Sequence, residues 1–163
     1  MAVVAHAQPD EREAIATLFR SHRPWLVQRL ALVVGDAEEA QDLAQRTYLR
    51  LVEHWPLPPE QDPARWLAVV GLRLALDERR RRRRWGFLPL RETDASWAVA
   101  TDADLWQALA GLDRRIRAAL VLTVVEGYTQ DEVATALGVA RGTVASWLAR
   151  ARDRLRPILE ERG

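Results

Sequence analysis

The sequence predicts an all-α protein of two small helical domains joined by a linker. Three observations predict it. Ala, Leu, Arg and Glu dominate, and no stretch alternates apolar and polar residues as a half-buried strand would. Glycine and proline clusters cut the chain into helix-length pieces. Between Gly86 and about Asp102 the periodicity lapses, in a stretch holding Gly86, Pro89, Thr93, Asp94, Ser96 and Thr101. That stretch reads as the linker, with Leu90, Trp97 and Val99 as apolar residues able to dock.

The first helix is expected from about Asp10 to Val34, with Ile15, Leu18, Phe19, Leu26 and Leu30 inward and Pro24 as a point of bending or division. Gly35 stops it and Asp36 caps the next. That second helix runs from about Ala37 to His54 and carries Ala40, Leu43, Ala44, Tyr48 and Leu51 on one stripe. Pro56, Pro58 and Pro59 forbid continuation. Asp62 followed by Pro63 is a cap with proline at the first helical position. A third helix then runs from Ala64 through six consecutive arginines, Arg79 to Arg84. Beyond the linker, helices are expected at about 104–110, 113–126, 129–137 and 141–160.

The segment from Gly127 to Leu155 is the most specific. Thr129 with Glu132 three residues later forms a capping box. Val133, Ala136 and Leu137 share one face of a short helix, and Gly138 ends it. Val144, Leu148, Ala151 and Leu155 stripe the helix that follows. Short helix, glycine turn and longer arginine-bearing helix make the helix-turn-helix pattern, whose second helix enters the DNA major groove. A plain αα-hairpin in a bundle has the same outline.

Composition narrows the chemistry. The chain has 163 residues, and its 48% hydrophobic content suffices for a core. With no Cys, disulfides, thiolate zinc sites and cysteine nucleophiles are excluded. His6, His22 and His54 are scattered, without metal-ligand spacing, so no metal and no cofactor is expected. Glu38 and Glu39 lack a positioned base or nucleophile, and no enzyme is expected. Neither a signal peptide nor an uncharged run of spanning length is visible, so a cytoplasmic protein without membrane insertion is expected. Net charge is only +1, so any basic surface must come from placement. All 24 basic residues are Arg, the side chain that grips phosphate bidentately. The run Arg79–Arg84 repels itself and calls for a polyanion or for solvent.

These strings, in this order, resemble the extracytoplasmic-function group of bacterial sigma factors in the sigma-70 family. The resemblance covers about residues 12 to 158. GDAEEAQDLAQRTYLRL is similar to the segment that docks on the RNA polymerase clamp, and ARWLAVVGLRLALDERRRRRR to the one that melts and reads the −10 element. The string from LAGLDRR through LARARDRL is similar to the domain that reads the −35 element. The resemblance implies a promoter-specificity subunit, with a −10 domain over residues 1–85, a linker over 86–103 and a −35 domain over 104–163. Its partners would be core RNA polymerase, through the clamp and flap, promoter DNA, and an anti-sigma factor. It puts Asp42, Gln45, Arg46, Leu49 and Arg50 on the polymerase-docking surface. It puts Trp66, Arg73, Asp77 and Arg79, Arg80, Arg81, Arg82, Arg83 and Arg84 on the DNA-facing helix and its basic end. Arg141, Gly142, Thr143, Ser146 and Arg150 fall at the start of the recognition helix.

The chain departs from the family pattern at three places. Arg46 stands where an acidic residue is usual, and Arg73 where Asn is usual. Ala145, Trp147 and Ala149 replace positions that are commonly basic or His, which leaves few long polar side chains to reach bases. These departures keep open an alternative, a sigma-like DNA-binding regulator or mimic that does not initiate transcription.

Overall fold

The computed structural model describes residues 9–84 and 103–161, so most of the expected linker lies outside the described residues. The described residues form seven α-helices and no strand. They are α1 (Pro9–Val34), α2 (Ala37–His54), α3 (Pro63–Arg84), α4 (Ala103–Ala110), α5 (Arg114–Leu120), α6 (Gln130–Leu137) and α7 (Arg141–Glu160). A π-helical turn, Val121–Val125, extends α5.

Local chemistry sets the N-terminal boundaries where the sequence puts them. Gly35 takes a φ of 76°, which favours glycine, and releases the chain from α1. The Asp36 carboxylate accepts from the Glu39 amide at 2.7 Å and opens α2. Asp62 accepts from the Arg65 amide at 3.0 Å and opens α3. Pro24 does not divide α1. It is exposed, and so is Arg20, whose carbonyl loses a helical donor to it on the solvent side of the helix.

Leu26, Leu30, Ala31, Val33 and Val34 of α1 are buried against Ala40, Leu43, Ala44 and Leu51 of α2 and Leu67 and Leu72 of α3. Phe19, expected inward, is instead 39% exposed. In the first half of α1, Ile15 and Leu18 pack partly buried against the core, while Phe19 lies toward the exposed side. Tyr48 covers that half only partly. Its hydroxyl donates to the Leu18 carbonyl at 3.1 Å, and its ring meets Phe19 edge-on at 4.9 Å. Burial pushes the Tyr48 phenol up to about 12, against a smaller opposing pull from Arg23.

Gly71 lets α3 lie close on its neighbours. A Cβ there would stand 3.2 Å from Thr47 Oγ1 and 3.3 Å from both Leu26 Cδ1 and Leu30 Cδ2. Gly71→Leu is therefore expected to lower stability by about 1–3 kcal/mol through overpacking. Urea denaturation checks this; an unchanged midpoint would mean that the three helices part easily here.

In the C-terminal half, Asp113 caps α5 through the Arg115 amide at 2.9 Å. The expected α-helix to Glu126 stops short at Leu120. Val121, Thr123, Val124 and Val125 crowd the backbone with β-branched side chains, and the turn widens there. The Glu126 amide now donates five residues back, to Val121, at 3.0 Å. Gly127, with φ 72°, then turns the chain toward α6.

The capping box of α6 forms as the sequence predicts. Glu132 N donates to Thr129 Oγ1 at 3.2 Å, and Thr129 N to Glu132 Oε2 at 2.8 Å. The Thr129 amide and the Thr129 hydroxyl both donate to the Glu132 carboxylate and, with Arg65 beside it, hold that carboxyl below the usual carboxylate range. Gly138 adopts the left-handed conformation at φ 66°. Val139 N reaches the Ala134 carbonyl and Gly138 N the Thr135 carbonyl, a Schellman ending. One buried cluster runs on from α1–α3 into Ala118, Leu122, Tyr128, Val133 and Val144, so the two sets of helices share a core.

Candidate polymerase and nucleic-acid interfaces

On α2, Asp42, Gln45, Leu49 and Arg50 are exposed and Arg46 is half-buried. Spacings of three and four place them on one stripe, opposite the buried stripe of Ala40, Leu43, Ala44 and Leu51. Leu49 is 54% exposed amid these polar neighbours. Arg46 and Asp42 lie 3.8 Å apart, so the unusual cation at 46 offsets the acid one turn earlier.

On α3, Trp66 is half-buried, with its ring 5.8 Å from that of His54. Arg73 and Asp77 are exposed further along. The side chains of Arg79 to Arg84 lie outside the described residues; the helix backbone carries them as far as Arg84. Trp66, Val69 and Arg73 line a cleft of about 570 Å³, closed on its far side by Tyr128, Glu132 and Thr135. Arg65 stacks over the Tyr128 ring at 4.1 Å and pairs with Glu132 at 3.0 Å. The Arg73 guanidinium donates to the carbonyls of Ala136 and Thr135, at the C-terminal end of α6.

On α7, Arg141, Gly142, Ser146 and Arg150 are exposed and Thr143 is half-buried. Ala140 at the N-cap offers no side-chain bond, so the first amides of α7 face outward unshared by a cap. Arg141 is 3.5 Å from Asp131, both well exposed. Trp147 turns inward and packs beside Leu112, Ile116 and Ala151. Its bulk at a position that is usually basic therefore serves packing, and Ala145 and Ala149 remain on the exposed side.

Comparison with known proteins decides what these surfaces belong to. The model of sigma-70 region 2 matches residues 18–85, and that of sigma-70 region 4 matches residues 102–155. The ECF RNA polymerase sigma factor SigL of Mycobacterium tuberculosis is 33% identical over all of this chain and 98% of its own length. This chain is an ECF sigma factor of the sigma-70 family. SigM of the same species is 32% identical over 96% of this chain and 82% of its own. The fold is similar to that of the sigma factor RpoE, solved with the anti-sigma factor NepR from Bartonella quintana. That match has a TM-score of 0.71 and 22% identity, over 94% of this chain and 98% of that one. As a member of its family, this sigma factor directs RNA polymerase to promoters and binds DNA.

Two features of the sigma factor are not visible in its sequence. There, Arg114 belongs to a capped helix start and Glu39 is one of two adjacent helix acids. In the fold, Arg114 is 1% exposed and meets Glu39 through two bonds of 2.9 Å, with a third to the Ala75 carbonyl at 3.3 Å. The stacking of Arg65 on Tyr128, 63 residues apart, is equally hidden. A pair of alternating charged stripes carries no signal for either contact. Among the described residues, no cluster of His, Cys, Asp and Glu could hold a metal, and no helix is long and apolar enough to cross a membrane.

Proposed function

We propose that this sigma factor docks on core polymerase through the outer stripe of α2 and meets promoter DNA through α3 and the start of α7. Asp42, Gln45, Arg46, Leu49 and Arg50 form the docking surface. Trp66, Arg73, Asp77 and the arginines from Arg79 to Arg84 serve the −10 element. Arg141, Gly142, Thr143, Ser146 and Arg150 serve the −35 element. Residues 1–85 and 104–163 are the two promoter-reading domains and 86–103 their linker. The factor acts in the cytoplasm, without catalysis of its own, and an anti-sigma factor restrains it.

The observation that supports the docking role most is the α2 stripe itself, five residues on one outer face with an exposed apolar side chain, Leu49, among them. A melted strand needs a basic track for its backbone and an aromatic face for an unstacked base, and α3 has both residue types. The short side chains at the start of α7 suit phosphate and shape readout better than base-edge contacts.

In vitro transcription with core polymerase on genomic fragments tests the whole reading. Leu49→Glu tests the docking surface. It is expected to weaken association with core polymerase about tenfold, equivalent to roughly 1.4 kcal/mol, while leaving helicity unchanged. Co-elution that survives Leu49→Glu combined with Gln45→Ala and Arg50→Ala would sink this assignment.

A further inference from the structure

Arg141 is the first residue of α7 and Asp131 the second of α6, so each stands at the N-terminus of one of the two helices of the helix-turn-helix. Helix chemistry does not account for Arg141. A cation there faces the positive pole of the helix dipole, and Ala140 supplies no side-chain cap to offset it. An acid suits the N-terminus of α6, yet the cap there is complete without Asp131, because Thr129 and Glu132 satisfy each other's amides. Across the turn the two side chains form an ion pair, with Arg141 Nε 3.5 Å from Asp131 Oδ1. Their side chains are 68% and 74% exposed, so the pair stands on the outside of the turn. The carboxylate engages the inner nitrogen of the guanidinium. The two outer nitrogens, with four of its five N–H donors, have no partner among the described residues.

We propose that Arg141 reads a guanine in the −35 duplex and that Asp131 is the positioning residue that aims it. The inference rests on the assignment of the start of α7 to DNA. The first residues of a recognition helix are those that reach base edges, and a guanidinium fork matches O6 and N7 of guanine in the major groove. Held at Nε, Arg141 keeps its outer nitrogens for that fork. Its surroundings let the duplex come close: Ala140 precedes it, and a Cβ on Gly142 would meet nothing within 4 Å. Thr143, Ser146, Ala145 and Ala149 are short, so Arg141 is the long donor at this end of the helix. Asp131 acts a second way as well. A carboxylate beside the guanidinium repels phosphate, which disfavours a backbone contact at the same place and weakens binding to unrelated sequence. Specificity is a difference of affinities, and this acid lowers the unwanted one. A surface otherwise suited to phosphate and shape readout thus carries one direct base contact.

Holoenzyme assembled from core polymerase and the full chain can select sites from duplexes randomised over the −35 region. The selected site is then remade with 7-deazaguanine, which lacks the N7 acceptor, at each guanine in turn. At one position this should weaken binding by the parent roughly tenfold, within the discrimination a bidentate pair provides. Holoenzyme with Arg141→Ala should be indifferent to that replacement, and Arg141→Lys, which keeps the charge without the fork, should be nearly so. Asp131→Asn leaves Arg141 intact; it should lose most of the discrimination and bind unrelated duplex more tightly. A merely structural acid at the start of α6 would move neither quantity. Discrimination that persists in Asp131→Asn overturns the positioning role. If Arg141→Ala instead weakens all sequences alike and lowers the log–log salt slope by about 0.9, Arg141 is a phosphate anchor and the inference fails. A selected preference that survives Arg141→Ala but changes with Ser146→Ala or Arg150→Ala overturns this inference alone. Binding indifferent to all of these changes removes α7 from the DNA and takes the inference down with that assignment.

Discussion

Glu39→Ala is expected to lower the stability of the folded chain by about 3–5 kcal/mol, the cost of stranding one member of a buried ion pair. The Arg114 guanidinium is almost wholly out of water and donates two hydrogen bonds to this one carboxylate. Removing the carboxylate leaves a full charge with only the Ala75 carbonyl nearby. Arg114 Nε has no partner even in the intact pair, so nothing within reach compensates. The double change Glu39→Leu with Arg114→Met should recover most of the loss, because apolar residues of similar volume carry no desolvation penalty. Guanidinium denaturation of the two variants measures both effects. A loss under about 1 kcal/mol for Glu39→Ala would show that the pair is already hydrated in solution.

Replacing all six arginines from Arg79 to Arg84 with Gln is expected to flatten the salt dependence of promoter binding. The log–log slope should fall by roughly 0.9 for each duplex phosphate no longer neutralised, or by about 5 if every arginine neutralises one. Holoenzyme binding to a promoter fragment, titrated with NaCl, measures the slope. An unchanged slope would make the run a solvated helix end. Because α3 carries Arg65 and Arg73 as well, a partial loss of slope is the outcome if the cleft arginines share the backbone.

The local architecture is legible in the sequence because its causes are local. Asp36, Asp62, Asp113 and Thr129 each satisfy amides within three residues, and Gly35 and Gly138 each occupy a left-handed turn. Such bonds depend only on neighbours close along the chain. The outer stripe of α2 is legible for the same reason, since helical period alone places Asp42, Gln45, Arg46 and Leu49 together. Period misleads where a helix face is only partly covered or a helix loses its ideal form. Phe19 has helical period but meets only the edge of Tyr48 and stays 39% exposed. The β-branched run after Leu120 keeps the helical path while changing its hydrogen bonding.

What the sequence by itself determined is the set of helices, most of their ends and the family. What the tertiary structure decided is which charges are free. Arg114, Arg65 and Arg73 look alike in the sequence, each an arginine on a helix with acids nearby. In the fold, one is buried against a carboxylate 75 residues away, one stacks on a tyrosine, and one closes the end of another helix. Those partners are brought together by packing between helices distant in the chain, and a helical period carries no record of which distant surface its polar face will meet.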